Sequence, residues 1–254
     1  MKITSEAAIA GARSALKTGK SDRARKLIAD ALLRDPDHPE LLWRAAYFEH
    51  HAGNDERALA LILEAEKHGN TSPEGLKLAA LVLDRQQQWA ELKQVLAQRC
   101  QRQHDDVELR KLAAGLYVST LGDFEAAAGL LRGLADLGSR ELLLLVLAKL
   151  DAREELIGLA KSMIDGGQAS ALARYYLAET LLSRGQIAEA RDVAVTLASE
   201  TNENPMFAAL LGRVYEASGN PVEAERYVRL QHDCLERAGQ RRQQSADAGD
   251  KPTQ

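Results

Sequence analysis

Aromatic residues are scarce, only 4% of the 254-residue chain. A core must therefore come from aliphatic and small side chains, which suits helices of Leu and Ala better than sheets, whose strands favour β-branched and aromatic residues. No sustained two-residue alternation rich in Val, Ile and Thr occurs either, so a sheet is not expected. Cysteine is nearly absent. Cys100 and Cys234 lie far apart and form neither a disulfide framework nor a metal-type pair, so free thiols in a reducing compartment are expected. The longest apolar run, Leu142 to Ala148, falls far short of the roughly 20 residues that span a bilayer. Met1 to Lys20 carries Glu6, Arg13 and Lys17 without a long apolar core, which is not the pattern of a secretory signal. A soluble cytoplasmic protein with no direct membrane insertion is the plain expectation. Formal net charge is −4, so a nucleic-acid partner has no global electrostatic support.

Catalytic patterns are missing as well. The chain has no Gly-x-x-x-x-Gly-Lys phosphate loop, no Gly-x-Ser-x-Gly elbow and no His-Glu-x-x-His. His50-His51 is the one histidine cluster. Neighbours on a helix point about 100° apart and cannot chelate one ion from a common face. Gly166-Gly167 follows no strand and is not a nucleotide fingerprint. No enzyme activity, metal or cofactor is expected.

What the chain does have is a rhythm. Gly19 and Gly53 stand 34 residues apart, as do Ala24 and Ala58, Ala31 and Ala65, Gly185 and Gly219, and Ala190 and Ala224. A fixed period of this size marks stacked units that cannot bury their apolar faces alone. Ala12, Ala46, Ala80, Gly115, Ala178 and Gly212 fall where paired helices cross, and axes approach to about 8–10 Å only over small side chains. Glycines at 19, 53, 122, 185 and 219 suit the left-handed end of a helix. Asn54, Asp123 and Asn220 stand where a side-chain oxygen can cap the next helix, and Pro221 suits a first helical position. Prolines 36, 39, 73 and 205 lie between units.

Two copies depart from the pattern. The third, around residues 73 to 107, has Gln87 in place of the turn glycine and reads as one residue long. The fifth, roughly 139 to 170, is short, with its turn near Asp151. Its Leu142 to Leu147 run surrounds a helix with apolar side chains, and such a helix is either packed inside or faces a partner. Leu109, Leu112 and Leu116 of the preceding unit add apolar positions.

The copy Leu211-Gly212, Tyr215, Gly219-Asn220, Ala224 and Val228 resembles the tetratricopeptide repeat signature. Four more copies match it in register, at Ala12 to Ala31, Ala46 to Ala65, Gly115 to Leu131 and Ala178 to Ala194. The resemblance implies an all-α, right-handed α-solenoid of about seven helix-turn-helix repeats over residues 1–238. Residues 239–254, poor in apolar side chains, read as a disordered tail.

The resemblance also implies a concave groove lined by first helices, where a partner's peptide or helix docks. Mapped onto this chain, its positions are Arg13 and Lys17, then Trp43, Arg44, Tyr47, His50 and His51, then Lys77, Leu81, Asp84 and Arg85. A cationic face with aromatics suits an acidic peptide or a terminal carboxylate. The same residues also read as solvated helix faces, with Glu6, Glu40, Glu49 and Glu74 as counter-charges. The carboxylate clamp of the chaperone-binding members is not matched, since Ile9 and Arg13 stand at its first pair and Tyr47 near its next Asn. The expected function is a noncatalytic adaptor or scaffold for a protein or peptide partner. The alternative is a chaperone or assembly factor for a bacterial secretion, pilus or surface-polysaccharide machine.

Overall fold

A computed structural model of the chain describes residues 4–168, 170–201 and 204–249, without the side chains of 241–249. These residues form fourteen α-helices and no strand. In order they are α1 (Ser5–Lys17), α2 (Ser21–Leu32), α3 (Pro39–His51), α4 (Asp55–Lys67), α5 (Pro73–Arg85), α6 (Trp89–Arg102), α7 (Val107–Leu116) and α8 (Phe124–Leu131). There follow α9 (Leu137–Lys149), α10 (Arg153–Asp165), α11 (Ala171–Ser183), α12 (Ile187–Val195), α13 (Pro205–Ala217) and α14 (Pro221–Gly249). They pair in sequence as seven helical hairpins, an all-α helical-repeat solenoid. Helix continues past residue 238, and residues 250–254 lie outside the described residues.

One turn repeats inside every pair. Gly19, Gly53, Gly185 and Gly219 have φ between 71° and 82°, and Gly122 has 62°. Gln87 and Asp151 hold the same place at φ 56° and 54°, although neither is glycine. The next residue's N–H then reaches back five residues, as from Lys20 to the Ala15 carbonyl at 2.8 Å, Gln88 to Leu83 at 2.9 Å and Ala152 to Leu147 at 3.0 Å. This is the bond pattern that closes a helix through a left-handed residue. The third turn is thus in register at Gln87, and the extra residue belongs to the fourth pair. There Tyr117–Leu121 forms a π-helical turn, and Asp123 N–H reaches six residues back to Tyr117 at 2.9 Å. A π turn is the standard way for a helix to absorb one inserted residue.

Capping follows the turn geometry. Asp123 and Asn220 accept from Ala126 N–H at 3.1 Å and Glu223 N–H at 3.3 Å. Asn54 does not cap. Its backbone (φ −92°, ψ 60°) is not the extended conformation that aims a side chain at the helix start, and its amide donates instead to Glu49 Oε2 at 2.8 Å.

The chain divides into two compact units, residues 1–130 and 131–254. In the first, Ala12, Ala24, Ile28, Ala31 and Leu41 build one apolar cluster, and Leu42, Trp43 and Ala65 build another. At the position that Ala31 and Ala65 occupy in the first two pairs, the third has Arg99, 1% exposed. Its Nε and Nη2 donate to the two Glu66 carboxylate oxygens, each at 2.8 Å, and Arg102 Nη1 donates to the Glu66 carbonyl at 2.8 Å. This buried pair clamps α6 to α4. Losing one partner of such a pair costs about 3–5 kcal/mol, because the other charge is left dry.

In the second unit the all-round apolar helix is α9. Leu143, Leu144, Val146 and Leu147 are buried, and Leu142 and Leu145 half-buried. Packing within the chain takes up this run.

The two non-glycine turns are strained, since an L side chain in the left-handed region costs about 1–2 kcal/mol against glycine's greater entropy loss. Gln87→Gly should raise stability by about 0.5–1 kcal/mol in urea unfolding. An unchanged or lowered midpoint would show that the Gln87 side chain compensates the strain.

Candidate functional site

The first helices α1, α3 and α5 lie side by side in the first unit. Helical spacing puts Arg13 and Lys17 on one face of α1, and Arg44, Tyr47 and His51 on one face of α3. The structure joins Arg13 and Arg44 at one atom. Arg13 Nη2 lies 3.1 Å from Glu40 Oε1, while Arg44 reaches the same oxygen from Nη2 at 2.7 Å and Nε at 3.1 Å. Lys17 and Lys77 are exposed. Glu74 sits near Lys77 and Arg44. Its carboxyl is held below the usual range first by its own backbone N–H, then by the Ser72 hydroxyl, and more weakly by those two cations.

Other expected positions go elsewhere. Trp43 is 6% exposed and belongs to the apolar core, with the Arg44 guanidinium 4.5 Å from its ring centroid. The indole is covered by its neighbours. Arg44 itself is 9% exposed. Tyr47 stacks at 4.0 Å on His51, whose Nδ1 lies 2.9 Å from the Tyr47 carbonyl. His50 turns away to Asp55, 2.6 Å from Nδ1, and Arg85 reaches Asp55 at 3.8 Å. Arg85 and His50 therefore share a separate cluster around Asp55. Leu81 and Asp84 are exposed on α5. Asp84 accepts from Trp89 Nε1 at 3.1 Å.

Beside Arg44 is a recess of about 70 Å³, lined by Ala12, Leu16, Ile28, Trp43, Arg44, Tyr47 and Phe48. It is smaller than the roughly 300 Å³ of the smallest ligand pockets. Periodicity did not reveal it, because a recess arises from the sizes of residues on three helices.

Asp37, Glu64 and His68 bring ligand atoms within 4.8 Å of one another. His68 Nε2 lies 2.9 Å from Glu64 and 3.7 Å from Asp37. The His68 hydrogen bond, then that of Lys67, holds the Glu64 carboxyl below its ordinary range. The His68–Glu64 hydrogen bond draws two of the three together. Burial pushes the Cys100 thiol up, which makes it a poor nucleophile.

No curated protein matches the chain. The sequence model of the tetratricopeptide repeat family matches residues 9–73, the span of the first two pairs. Among solved structures, the C-terminal part of a TPR repeat-containing protein from Cytophaga hutchinsonii has a TM-score of 0.58 at 12% identity, covering 87% of this chain and 92% of that one. PilW, described as a widely conserved type IV pilus biogenesis factor, gives 0.51 at 15% identity, covering 76% and 92%. PilF of Pseudomonas aeruginosa gives 0.50 at 14%, covering 78% and 92%. At such identities the likeness establishes the fold alone, and the fold is one that supports a protein–protein interaction scaffold.

Of the two arginines on Glu40, Arg44 is the one whose loss should destabilise the first unit. Arg44→Glu would set a carboxylate against Glu40 in a buried place and should cost roughly 3 kcal/mol. Arg13→Glu at an exposed site should cost within about 0.5 kcal/mol. Thermal unfolding of the two variants checks this, and equal losses would refute the placement of Arg44.

Proposed function

For a chain that carries tetratricopeptide repeats, as this one does, we propose a noncatalytic adaptor that holds an acidic peptide segment of a partner protein across α1, α3 and α5. The observation that carries the reading is the pair of guanidiniums on one Glu40 oxygen beside an apolar recess. Arg13, Lys17, Arg44 and Lys77 stand on these helices among the carboxylates Glu6, Glu40, Glu74 and Asp84, so the reading rests on the placed guanidiniums and not on an excess of charge. A guanidinium has five donors, so both arginines keep donors for a further carboxylate. A bulky apolar side chain next to that acid fits over Tyr47 and Leu16. Tyr47 and Arg44 are of the residue types that dominate binding energy. The internal ion pairs also hold both arginines in place before a partner arrives, which reduces the ordering cost of binding.

The same reading sets the protein in a bacterial cytoplasm, on the resemblance of its repeats and its Ala-, Leu- and Arg-rich composition. The second reading is an assembly factor or specialised chaperone of the kind that serves pilus, secretion or surface-polysaccharide machines. A client of a chaperone aggregates when expressed without it, whereas the partner of an adaptor folds alone.

Because Arg44 is buried, the binding test falls on its exposed neighbours. Arg13→Glu with Lys77→Glu should weaken a partner recovered by affinity capture about tenfold or more in calorimetry, with the wild-type affinity falling as salt rises. Unchanged affinity with no salt dependence would reduce these charges to a solvated surface.

A further inference from the structure

The repeat provides an internal standard for what a given position should look like. In the first unit Ile28, Ile62 and Leu96 stand 34 residues apart on the second helices, and none is more than 1% exposed. In the second unit the same column runs Leu131, Ala160, Ala194 and Val228, with Leu131 buried like its counterparts in the first unit. Ala160 and Ala194 are fully buried, with the first helix of the next pair packed beside each helix. Val228 is 57% exposed. Among the described residues no helix covers the α13–α14 face, and yet the column becomes larger and more apolar there.

The opposite end of the array is finished differently. Where the second and third pairs have Leu41 and Phe48, or Leu78 and Val82, α1 has Ala7 and Ser14, or Ala10 and Ser14, all exposed. Small and polar side chains blunt that face, so α1 of another copy lacks the apolar residues to serve as the next first helix. Head-to-tail stacking, which would grow filaments, is not encoded.

The exposed stripe on α14 has the spacing of a helix–helix seam. Val228, Gln231, Leu235 and Ala238 alternate intervals of three and four, with Gln231 half-buried and the other three exposed, while Ala224 one turn earlier is buried. Val228 and Leu235, two turns apart on this stripe, are 57% and 53% exposed. We propose that this face is a self-association surface, on which two copies of the chain pack their α14 helices antiparallel about a two-fold axis near Gln231.

That arrangement sets Val228 of one copy against Leu235 of the other. It also brings the two Gln231 amides together, and an amide has both donor and acceptor, so it can pair with its own image. One polar residue in an apolar seam fixes register at some cost in affinity. The flanks are self-compatible too, since Glu225 pairs with Arg229 and His232 with Glu236 within each helix. Charge of one sign would oppose a like-with-like contact, and none accumulates here. The surface lies far along the chain from the α1–α3–α5 groove, and the proposal stands or falls apart from the peptide-binding reading.

Sedimentation equilibrium of the full chain, over a wide concentration range, tests it. A monomer–dimer equilibrium is expected. Val228→Glu with Leu235→Glu should weaken it more than tenfold, since two apolar side chains leave the seam and charges enter it. Leu33→Glu, at an 85% exposed site in the first unit, should leave it unchanged. Circular dichroism confirms that each variant folds, and Val228→Ser with Leu235→Ser serves if the glutamates do not. A wild type that stays monomeric throughout overturns the proposal, as does one that forms open-ended chains. A dimer that the seam variants leave intact overturns it equally.

Discussion

The left-handed turn between paired helices is the constraint from which the rest of the molecule follows. A chain that leaves one helix through a positive φ and returns a hydrogen bond five residues back has little freedom in the angle of the next helix. Once that angle repeats, side chains 34 residues apart occupy equivalent places, and each column acquires a common environment. Ile28, Ile62 and Leu96 are buried alike because the turns before them are alike. The conformation matters more than the residue that adopts it. Gln87 and Asp151 accept the strain, and the π turn at Tyr117–Leu121 preserves the geometry across an added residue.

This explains which features were legible in the sequence. Turn glycines, crossing alanines and inter-unit prolines are local signals, and they marked the hairpins well. The signal for a left-handed turn is a residue type, whereas the requirement is a dihedral angle. At Gln87 the two part company, and the added residue was consequently assigned one unit too early. Asn54 failed as a cap for a related reason, since residue type suggested it and ψ denied it. The Glu66–Arg99 clamp was invisible because its partners sit on α4 and α6, with Arg99 where the earlier pairs have alanine and Glu66 where the first pair has Leu32.

The candidate groove was less legible than the fold. Helical spacing placed Arg13, Arg44, Tyr47 and Lys77 toward one side, but spacing carries no depth. Trp43 and Arg44 are covered by neighbours, while Lys17 and Lys77 stand in solvent. Nor does spacing say how charge is shared. Glu40 engages both arginines, while Asp55 draws Arg85 and His50 into a cluster of their own.

Depth also decides what selection by charge can achieve here. An exposed lysine attracts an acidic segment from a distance and loses that pull in salt, since exposed charges are screened within about 8 Å at physiological ionic strength. A guanidinium stacked on an indole and held by a carboxylate is already placed, and it can discriminate a carboxylate's geometry because its donors are rigid. Glu40 is the element between these two regimes. It neutralises Arg44 enough to keep the guanidinium in a buried place, and with one oxygen accepting from both arginines it leaves donors to spare. An acidic segment bound as proposed would satisfy those donors without displacing Glu40, and the Arg13–Glu40–Arg44 contact would stay intact.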